Sequence, residues 1–394
     1  MKWASAVSDL PSLDQAIDQC IADVSTEFGD EAPDLTVIFV SSHFESRYEE
    51  VPALLRERLR PGILVGCSAG GVIGNGREVE HRPGLALAVA SLPGVELTPF
   101  HVQHDAMPNP DASPDKWEEA VGVPADRNPH FILLADPFST RADDLLMGLD
   151  FAFGDSVKIG GLASGGQGSR GNALYLEDQT YRFGAVGVAL HGNIAVDTVV
   201  AQGCRPIGSP MQITSCRENM LMSLDDEQPL EVIQGLLSGL SEKDQDLARH
   251  SLFLGVVMDP LKEDVRQGDF LIRNILGLDP QSGAVAIGER LQEGQTVQFH
   301  LRDAQTSAED LDALLRRYAS SMEPAPGWGA LLFSCLGRGE YLYGRPDHDT
   351  DLFRERVGRM PLAGFFCNGE IGPVGGSTYL HGYTSSFGIF RAKD

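Results

Sequence analysis

The sequence predicts a mixed α-β fold (α+β) made of internally duplicated β-α-β-loop-β units, with helices on the outer faces of layered mixed sheets. Apolar runs of strand length alternate with stretches whose apolar residues recur at helical spacing. A glycine-studded segment follows a strand in several places. Strands as apolar as residues 35–40 need cover on both faces, and an α-β-β-α layering is one arrangement that supplies it.

The recurring segment is clearest near the C-terminus, where residues 364–372 read GFFCNGEIG. Residues 66–74 (GCSAGGVIG) and 160–168 (GGLASGGQG) align with it, and each copy has glycine at its first, sixth and ninth positions. We call these segments the three glycine loops. Each follows a helical pattern and a short apolar run, which indicates duplication of one supersecondary unit.

The first half of the chain contains two such units. The first is predicted to have a helix with a stripe from Leu13 to Val24, a strand at 35–40, a helix at 49–60, a strand at 63–65 before the first loop, and hairpin strands at 85–90 and 95–102. After a short helix near Trp117, the second has a strand at 131–135, a helix at 143–153, a strand at 157–159 before the second loop, and hairpin strands at 183–190 and 194–200.

A boundary near residue 222 predicts two domains, 1–222 with two repeats and 223–394 with the rest. A helix at 230–240 follows this boundary. The strands after it, at 252–257, 270–276, 284–287 and 296–301, predict a degenerate repeat that has lost its helix and glycine loop. The last unit has a helix after Ser307, a strand at 330–334, a helix near 352–357, a strand at 362–366 before the third loop, and a closing strand at 387–390.

Composition excludes several classes of protein. The net charge of −25 argues against a nucleic-acid or anionic-membrane partner, because no basic face offsets it. No apolar run approaches the length of a membrane span, and the N-terminus lacks an apolar signal core. The six cysteines show neither C-x-x-C pairs nor zinc spacing, so no metal or cofactor is predicted and a reducing cytoplasm is expected.

The chain resembles the FIST proteins, which have a FIST N and a FIST C domain. The resemblance rests on GCSAGG at 66–71, LAGFFCNGEIGP at 362–373 and YLHGYTSS at 379–386, and it extends over roughly residues 35–390. It implies a sensory domain in signal transduction that binds small ligands, amino acids among them. Such domains occur beside signalling output domains or F-boxes. This chain carries no such segment, so the resemblance implies an unidentified signalling protein partner.

An amino acid serves as a test ligand for the candidate site. Its carboxylate needs donors, which glycine-rich turns supply through backbone N–H groups and which Arg77 and Arg170 could add as charged groups. Its ammonium needs an acceptor, and Glu370 is the natural one. The candidate ligand-binding residues are Gly66, Ser68, Gly70, Gly71, Arg77, Ser164, Gly165, Arg170, Cys367, Asn368, Glu370, His381, Tyr383 and Thr384.

A structural interpretation competes with this one. Glycines at these positions also serve tight turns and close sheet contacts, and the polar residues can satisfy buried backbone groups. A lone histidine such as His381 is more often structural or solvated than functional. The Asp-Pro pairs 136–137 and 259–260 follow strands at matching unit positions, where they either line a ligand cleft or form ordinary turns.

Cys67 is a weak candidate nucleophile, and Cys367 is a second, because a nest of N–H groups in a glycine loop could lower the pKa of a thiol. His43 or His381 would have to act as the base. The aligned copies do not keep the thiol, which favours a small buried hydrophobe in both places.

Three functions follow from these patterns. The leading hypothesis is a sensory protein that binds a small ligand where the glycine loops converge, with Glu370 and its neighbours as the polar centre. The first alternative is a Cys-dependent hydrolase or transferase. The second alternative is a protein-interaction scaffold without a small ligand.

Overall fold

The structure, a computed structural model, describes residues 1–29, 31–262 and 264–393 and divides into two compact units. The first comprises Met1–Val200, Asp312–Leu380 and Thr384–Asp394, and the second comprises Ala201–Leu311 and His381–Tyr383. The units therefore do not follow the chain as two consecutive blocks, and the predicted boundary near residue 222 falls inside the second. Among the described residues, no helix has both the length and the apolar content that crossing a bilayer requires.

The first repeat of the first unit occupies the N-terminal part of the chain. Its elements are β1 (Lys2–Ser8), α1 (Leu13–Phe28), β2 (Leu35–Ser41), a 3-10 segment (Ser42–Glu50), α2 (Val51–Arg58), β3 (Ile63–Ala69), β4 (Gly71–Gly74), β5 (Arg77–Glu80) and β6 (Leu85–Ser91).

The second repeat has the same order of elements. They are β7 (Val95–Val102), 3-10 segments at His104–Ala106 and Ala125–Arg127 on either side of α3 (Pro114–Val121), β8 (His130–Ala135), α4 (Ala142–Ala152), β9 (Lys158–Leu162), β10 (Leu174–Leu176), β11 (Gln179–Tyr181) and β12 (Ala185–Gly192).

The third repeat is split by the second unit. It begins with β13 (Ala195–Ala201). The intervening elements are β14 (Cys204–Arg217), β15 (Met220–Leu224), α5 (Pro229–Ser238), α6 (Glu242–Ser251), β16 (Leu252–Val257), β17 (Phe270–Leu278), β18 (Val285–Ile287) and β19 (Thr296–Arg302). The repeat resumes with α7 (Ala304–Ser321), β20 (Gly329–Cys335), α8 (Glu340–Tyr343), α9 (His348–Arg356), β21 (Leu362–Cys367), β22 (Glu370–Val374), β23 (Ser377–His381) and β24 (Ser385–Arg391).

The three repeats exchange hairpins in a cycle. The sheet orders are β1-β6-β2-β3-β10-β11, β7-β12-β8-β9-β22-β23 and β13-β24-β20-β21-β4-β5. Each sheet thus has four strands from one repeat and a hairpin from the next, and the hairpin of the first repeat completes the third sheet. At the centre of each sheet lies one parallel pair, β2/β3, β8/β9 or β20/β21.

One core is common to the three sheets. Phe39 of β2 stacks on Phe365 of β21 with ring centroids 4.7 Å apart, and both belong to a buried cluster that includes Ile132 of β8. Helices cover the outer faces, as the sequence predicts. The predicted stripe on α1, including Ile17 and Val24, is buried against the outer side of the first sheet.

The mixed α-β class and the repetition of one unit are confirmed, but three repeats share one core instead of forming an α-β-β-α layering. Two of the predicted glycine loops are shorter than expected, because residues 66–69 and 71–74 lie in β3 and β4, and residues 364–367 and 370–372 lie in β21 and β22. The expected hairpins 85–90/95–102 and 183–190/194–200 do not form, because the second strand of each starts the next repeat in another sheet. The strand β1, which fills the matching place in the first repeat, is rich in small residues and was not predicted.

The second unit is not a degenerate copy of the repeat. Its strands close into a barrel in the order β14-β15-β18-β17-β16-β19, around a core that includes Leu254, Val285 and Phe299. The predicted strands from 252 to 301 are present, but their described residues pair only in antiparallel fashion, without the central parallel pair of the repeats.

The first glycine of each loop is required by strand packing. A Cβ would lie 2.1 Å from the carbonyl oxygen of Ile38 at Gly66, 1.8 Å from that of Leu133 at Gly160, and 1.8 Å from that of Leu332 at Gly364. These contacts are with backbone atoms of the parallel partner strand, which cannot move aside. The structural interpretation therefore accounts for the first glycines.

We expect Gly364→Ala to lower the free energy of unfolding by at least about 4 kcal/mol or to prevent folding, because no rotamer relieves a backbone clash. Gly235→Ala is the control, since its Cβ meets nothing within 4 Å and alanine is better than glycine in a helix by about 1 kcal/mol. Urea denaturation of both variants measures the difference, and equal stability would contradict this account.

Candidate functional site

The three glycine loops meet at one place in the first unit. The amide of Ser164 donates to the carbonyl of Ser68 at 3.2 Å, which joins the second loop to the first. The amide of Asn368 donates to the carbonyl of Leu162 at 3.0 Å, which joins the third loop to the second. The convergence that the sequence predicts for the loops is therefore present within this unit.

The remaining link, from the first loop to the third, runs through a side chain. The amide of Gly70 donates to Ser164 Oγ at 2.9 Å, and this hydroxyl donates to the carbonyl of Phe366. We call Gly70, Ser164 and Asn368, the fifth residues of the three loops, the loop junction. Ser164 thus contacts both other loops and closes the ring of hydrogen bonds.

The sixth residues, all glycine, let the loops interlock. A Cβ at each would press on the third residue of a neighbouring loop, at 2.9 Å from Phe366 Cδ2 for Gly71, 2.6 Å from Ser68 Cβ for Gly165, and 3.1 Å from Leu162 Cδ1 for Gly369. The bare backbone at these positions is used for contacts between loops.

The amides at the loop junction are engaged inside the protein, so they do not form the anion cradle that the sequence suggests. The side chains at the loop junction have more hydrogen-bonding capacity available to a ligand than these amides do. Asn368 is exposed, while Gly70 and Ser164 are half-buried. Asn368 Nδ2 donates to the carbonyl of Ala163 at 3.0 Å, and its Oδ1 accepts no hydrogen bond from the described residues. An acceptor atom therefore remains for a ligand.

A buried polar network lies beside the junction. Ser68 Oγ donates to Asn172 Oδ1 at 3.2 Å and accepts from the amide of Ala173 at 2.9 Å. Asn172 Nδ2 donates to Asp136 Oδ1 at 3.0 Å. The Asp-Pro pair at 136–137 thus connects the end of β8 to the first loop, whereas Asp259 lies in the barrel unit.

Glu370 is fully buried in β22, next to Gly161 of β9. Its Oε2 accepts a hydrogen bond from the amide of Thr384 at 3.1 Å. The carboxylate therefore fixes the backbone just before β24 begins. A buried carboxylate at this position needs a hydrogen-bond partner, and the protein itself supplies one.

The two candidate arginines lie outside the loop junction. Arg77 sits three residue pairs along the β4–β5 hairpin from Gly71 and pairs with Asp9 at 2.9 Å. Arg170 has a φ of +66° and places its guanidinium 5.0 Å from the ring centroid of Phe183.

His381 and Tyr383 belong to the second unit. There the ring of Tyr383 lies 4.3 Å from that of Phe253, centroid to centroid, and its hydroxyl bonds to Asn274 Oδ1. The guanidinium of Arg302 lies 4.9 Å from the Tyr383 ring centroid.

The two candidate nucleophiles are core residues. Cys67 and Cys367 are fully buried in the cluster between the sheets. Burial raises the pKa of the Cys67 thiol well above its usual value, and burial, followed by the nearby Glu370 carboxylate, does the same for the pKa of Cys367. Both groups are therefore held as neutral thiols, which disfavours the Cys-dependent enzyme.

A charged cluster that the sequence did not predict lies behind the end of β20. Arg338, fully buried, donates to both carboxylate oxygens of Asp349 at 2.9 and 3.1 Å, and His348 Nδ1 lies 2.9 Å from the same carboxylate. Burial raises the pKa of Asp349, but the charge of Arg338 and the hydrogen bonds outweigh it and leave that pKa below its ordinary value.

Glu78 completes this cluster from β5. Its Oε1 accepts from the amide of Thr350 at 2.9 Å, while its Oε2 has no partner among the described residues. Burial, followed by the charge of Asp349, raises the pKa of Glu78 from 4.5 to about 8. The sequence did not indicate this cluster, because its charged residues are far apart along the chain and no local pattern marks them as buried. They come together because the exchanged hairpin places β5 beside α9. Across the described residues, no group of acidic, histidine or cysteine side chains is placed to hold a metal ion.

Comparison with known proteins matches two family models to the chain. The FIST N domain matches residues 34–227, and the FIST C domain matches residues 229–373. An uncharacterized protein of Mycobacterium tuberculosis is 34% identical over 392 residues, which cover 99% of this chain and all of that protein. An uncharacterized protein of Mycobacterium bovis is 33% identical, with 99% of each chain covered.

Two further similarities are weaker. F-box only protein 22 of Homo sapiens is 31% identical over 104 residues, a quarter of each chain. A crystal structure of cyanuric acid hydrolase from A. caulinodans aligns over 99% of each chain with 9% identity and a TM-score of 0.36, which is too low to establish a shared fold.

We expect iodoacetamide to leave Cys67 and Cys367 unmodified in the native protein at neutral pH, because both thiols are buried and neutral. Cys216 and Cys335, which are partly exposed, should react orders of magnitude faster. Peptide mass spectrometry after timed labelling measures the rates, with a urea-unfolded sample as the control in which all six react alike. Native labelling of Cys67 at the rate of Cys216 would contradict the assignment.

We expect the cluster around Glu78 to make stability depend on pH. Since the folded pKa of about 8 lies above the ordinary 4.5, the unfolded chain releases this proton first, and the free energy of unfolding falls as pH rises between these values. Glu78→Gln removes the titration. The stability of the wild type relative to this variant should therefore fall by on the order of 5 kcal/mol across that window. Denaturant titrations at several pH values test this, and a constant difference would refute it.

Proposed function

This chain belongs to the FIST family, with a FIST N domain followed by a FIST C domain, and on that premise we propose that it is a sensory protein that binds a small ligand. The single observation that supports this best is the loop junction. Loops from three repeats are linked there by direct hydrogen bonds. A molecule bound at Gly70, Ser164 and Asn368 would contact all three repeats at once and would bias their packing.

The proposed ligand is an amino acid or a related metabolite. Asn368 Oδ1 would accept from its ammonium group, and the hydroxyl of Ser164 would lie beside it. Glu370, two residues beyond Asn368, would not contact the ligand, since its carboxylate is buried and accepts from the amide of Thr384. Recognition would rely on the side chains of Asn368 and Ser164, since the junction amides already donate within the protein.

The signal would pass to a protein partner, because the sensory family to which the chain belongs works with output domains. We place the protein in a reducing compartment such as the cytoplasm, a proposal supported by six cysteines that are all free thiols. The interaction scaffold stays an alternative, and the ligand screen below separates the two hypotheses.

We expect a thermal-shift screen of amino acids and small metabolites to find a stabilising compound, because a ligand at about a hundred times its Kd adds about 2.7 kcal/mol to the free energy of unfolding. Asn368→Ala should weaken that compound roughly tenfold, since it removes the unpaired acceptor. Asn109→Ala, at another exposed position, should bind as the wild type does. A ligand that binds Asn368→Ala with full affinity would place the site elsewhere, and a screen without any hit would favour the scaffold.

A further inference from the structure

We propose that the first unit holds a second ligand site, separate from the loop junction, that takes a small planar aromatic ring bearing one carboxylate. The site is a pocket of about 480 Å³ at the carboxyl end of β8, within the usual size range for small-molecule sites. Its lining includes Asp105, Phe138, Ser139, Thr140, Arg141 and Phe183. The ends of parallel strands are where open α/β sheets commonly bind ligands.

The floor of the pocket is held rigidly. Ser139 Oγ donates to Asp136 Oδ2 at 2.6 Å and accepts from the amide of Gly184 at 2.9 Å. The amide of Asp136 in turn donates to the carbonyl of Gly184 at 2.9 Å. Gly184 has a φ of +80°, and a Cβ there would lie 2.4 Å from the carbonyl oxygen of Val102. The backbone at Phe183 is therefore fixed before any ligand arrives.

Two aromatic side chains face solvent in this pocket. Phe138 is 48% exposed and Phe183 is 38% exposed. Both rings lie along one concave surface, where a flat ring of a ligand could stack on them and remove apolar area from water. The guanidinium of Arg170 lies 5.0 Å from the Phe183 ring centroid, so a positive charge lies close to one of these two rings.

Donors with spare capacity lie beside the aromatic walls. Arg141 Nε contacts Asp144 Oδ2 at 3.1 Å, and its two Nη groups bond to no acceptor among the described residues. Thr140 Oγ1 is buried and has no hydrogen-bond partner among the described residues. A carboxylate bound by the guanidinium fork would satisfy the free donors of Arg141, at the start of helix α4 where backbone N–H groups also favour an anion.

The acidic residues limit the charge of the ligand. Asp105 lines the same pocket and Asp144 pairs with Arg141. A second negative charge on the ligand would meet these carboxylates, so a monoanionic carboxylate is favoured over a phosphate dianion. Asp105 can also accept a hydrogen bond from an N–H or O–H group on the ring.

The test uses 2-naphthoate as the probe and isothermal titration calorimetry on the full chain. We expect saturable binding to the wild type and binding about tenfold to a hundredfold weaker to Arg141→Gln, because a charged hydrogen-bonding partner is lost. Arg127→Gln, another exposed arginine of the same unit, is the matched control and should bind as the wild type does. Asn368→Ala should also bind normally, which separates this site from the proposed sensory site.

Two analogues, one neutral and one non-aromatic, test whether the site requires the carboxylate charge and the aromatic ring. 2-Naphthamide should bind about tenfold to a hundredfold more weakly than 2-naphthoate, since it lacks the charge, and cyclohexanecarboxylate should also bind more weakly, since it cannot stack. The proposal is overturned if 2-naphthoate shows no saturable binding, if Arg127→Gln loses as much affinity as Arg141→Gln, or if either analogue binds as tightly as the probe.

Discussion

The first unit depends on the close approach of two backbones at the centre of each sheet. In every repeat one glycine of the second parallel strand lies against a carbonyl oxygen of the first, at a distance where no side chain fits. This contact lets the two parallel strands of each repeat pack closely at matching positions. It occurs in all three repeats, and the segments that follow these strands meet at one junction.

Hairpin exchange turns that local contact into a cooperative structure. Each sheet gains two strands from a neighbouring repeat, so no sheet of the unit is built from one repeat alone. Sheets completed by neighbouring repeats bury apolar surface that an isolated repeat would leave exposed. A change at the junction can therefore reach all three repeats through hydrogen bonds and packed side chains, which suits a sensory role.

The residues at the carboxyl ends of β2, β8 and β20, the first strand of each parallel pair, differ between the repeats although their backbone positions match. Ser41, Asp136 and Cys335 each donate an amide to the equivalent carbonyl, that of Gly84, Gly184 or Thr384. Behind Asp136 lies an uncharged amide and hydroxyl network, whereas a buried arginine–carboxylate cluster lies near Cys335. The same scaffold position thus supports different chemistry in each repeat, and the repeats are equivalent in topology without being equivalent in site.

The sequence by itself determined the repeated unit, the three glycine loops and the helices that cover the sheets, because strand and helix periodicity and glycine spacing are local properties of the chain. It also indicated that the loops converge. Tertiary structure decided that the repeats number three, that the hairpins belong to other sheets, and that residues 204–302 form a barrel, since strand pairing between distant segments leaves no local pattern. It likewise decided that Glu370 bonds to Thr384 and that Glu78 is buried, because burial of a charge depends on which distant element covers it.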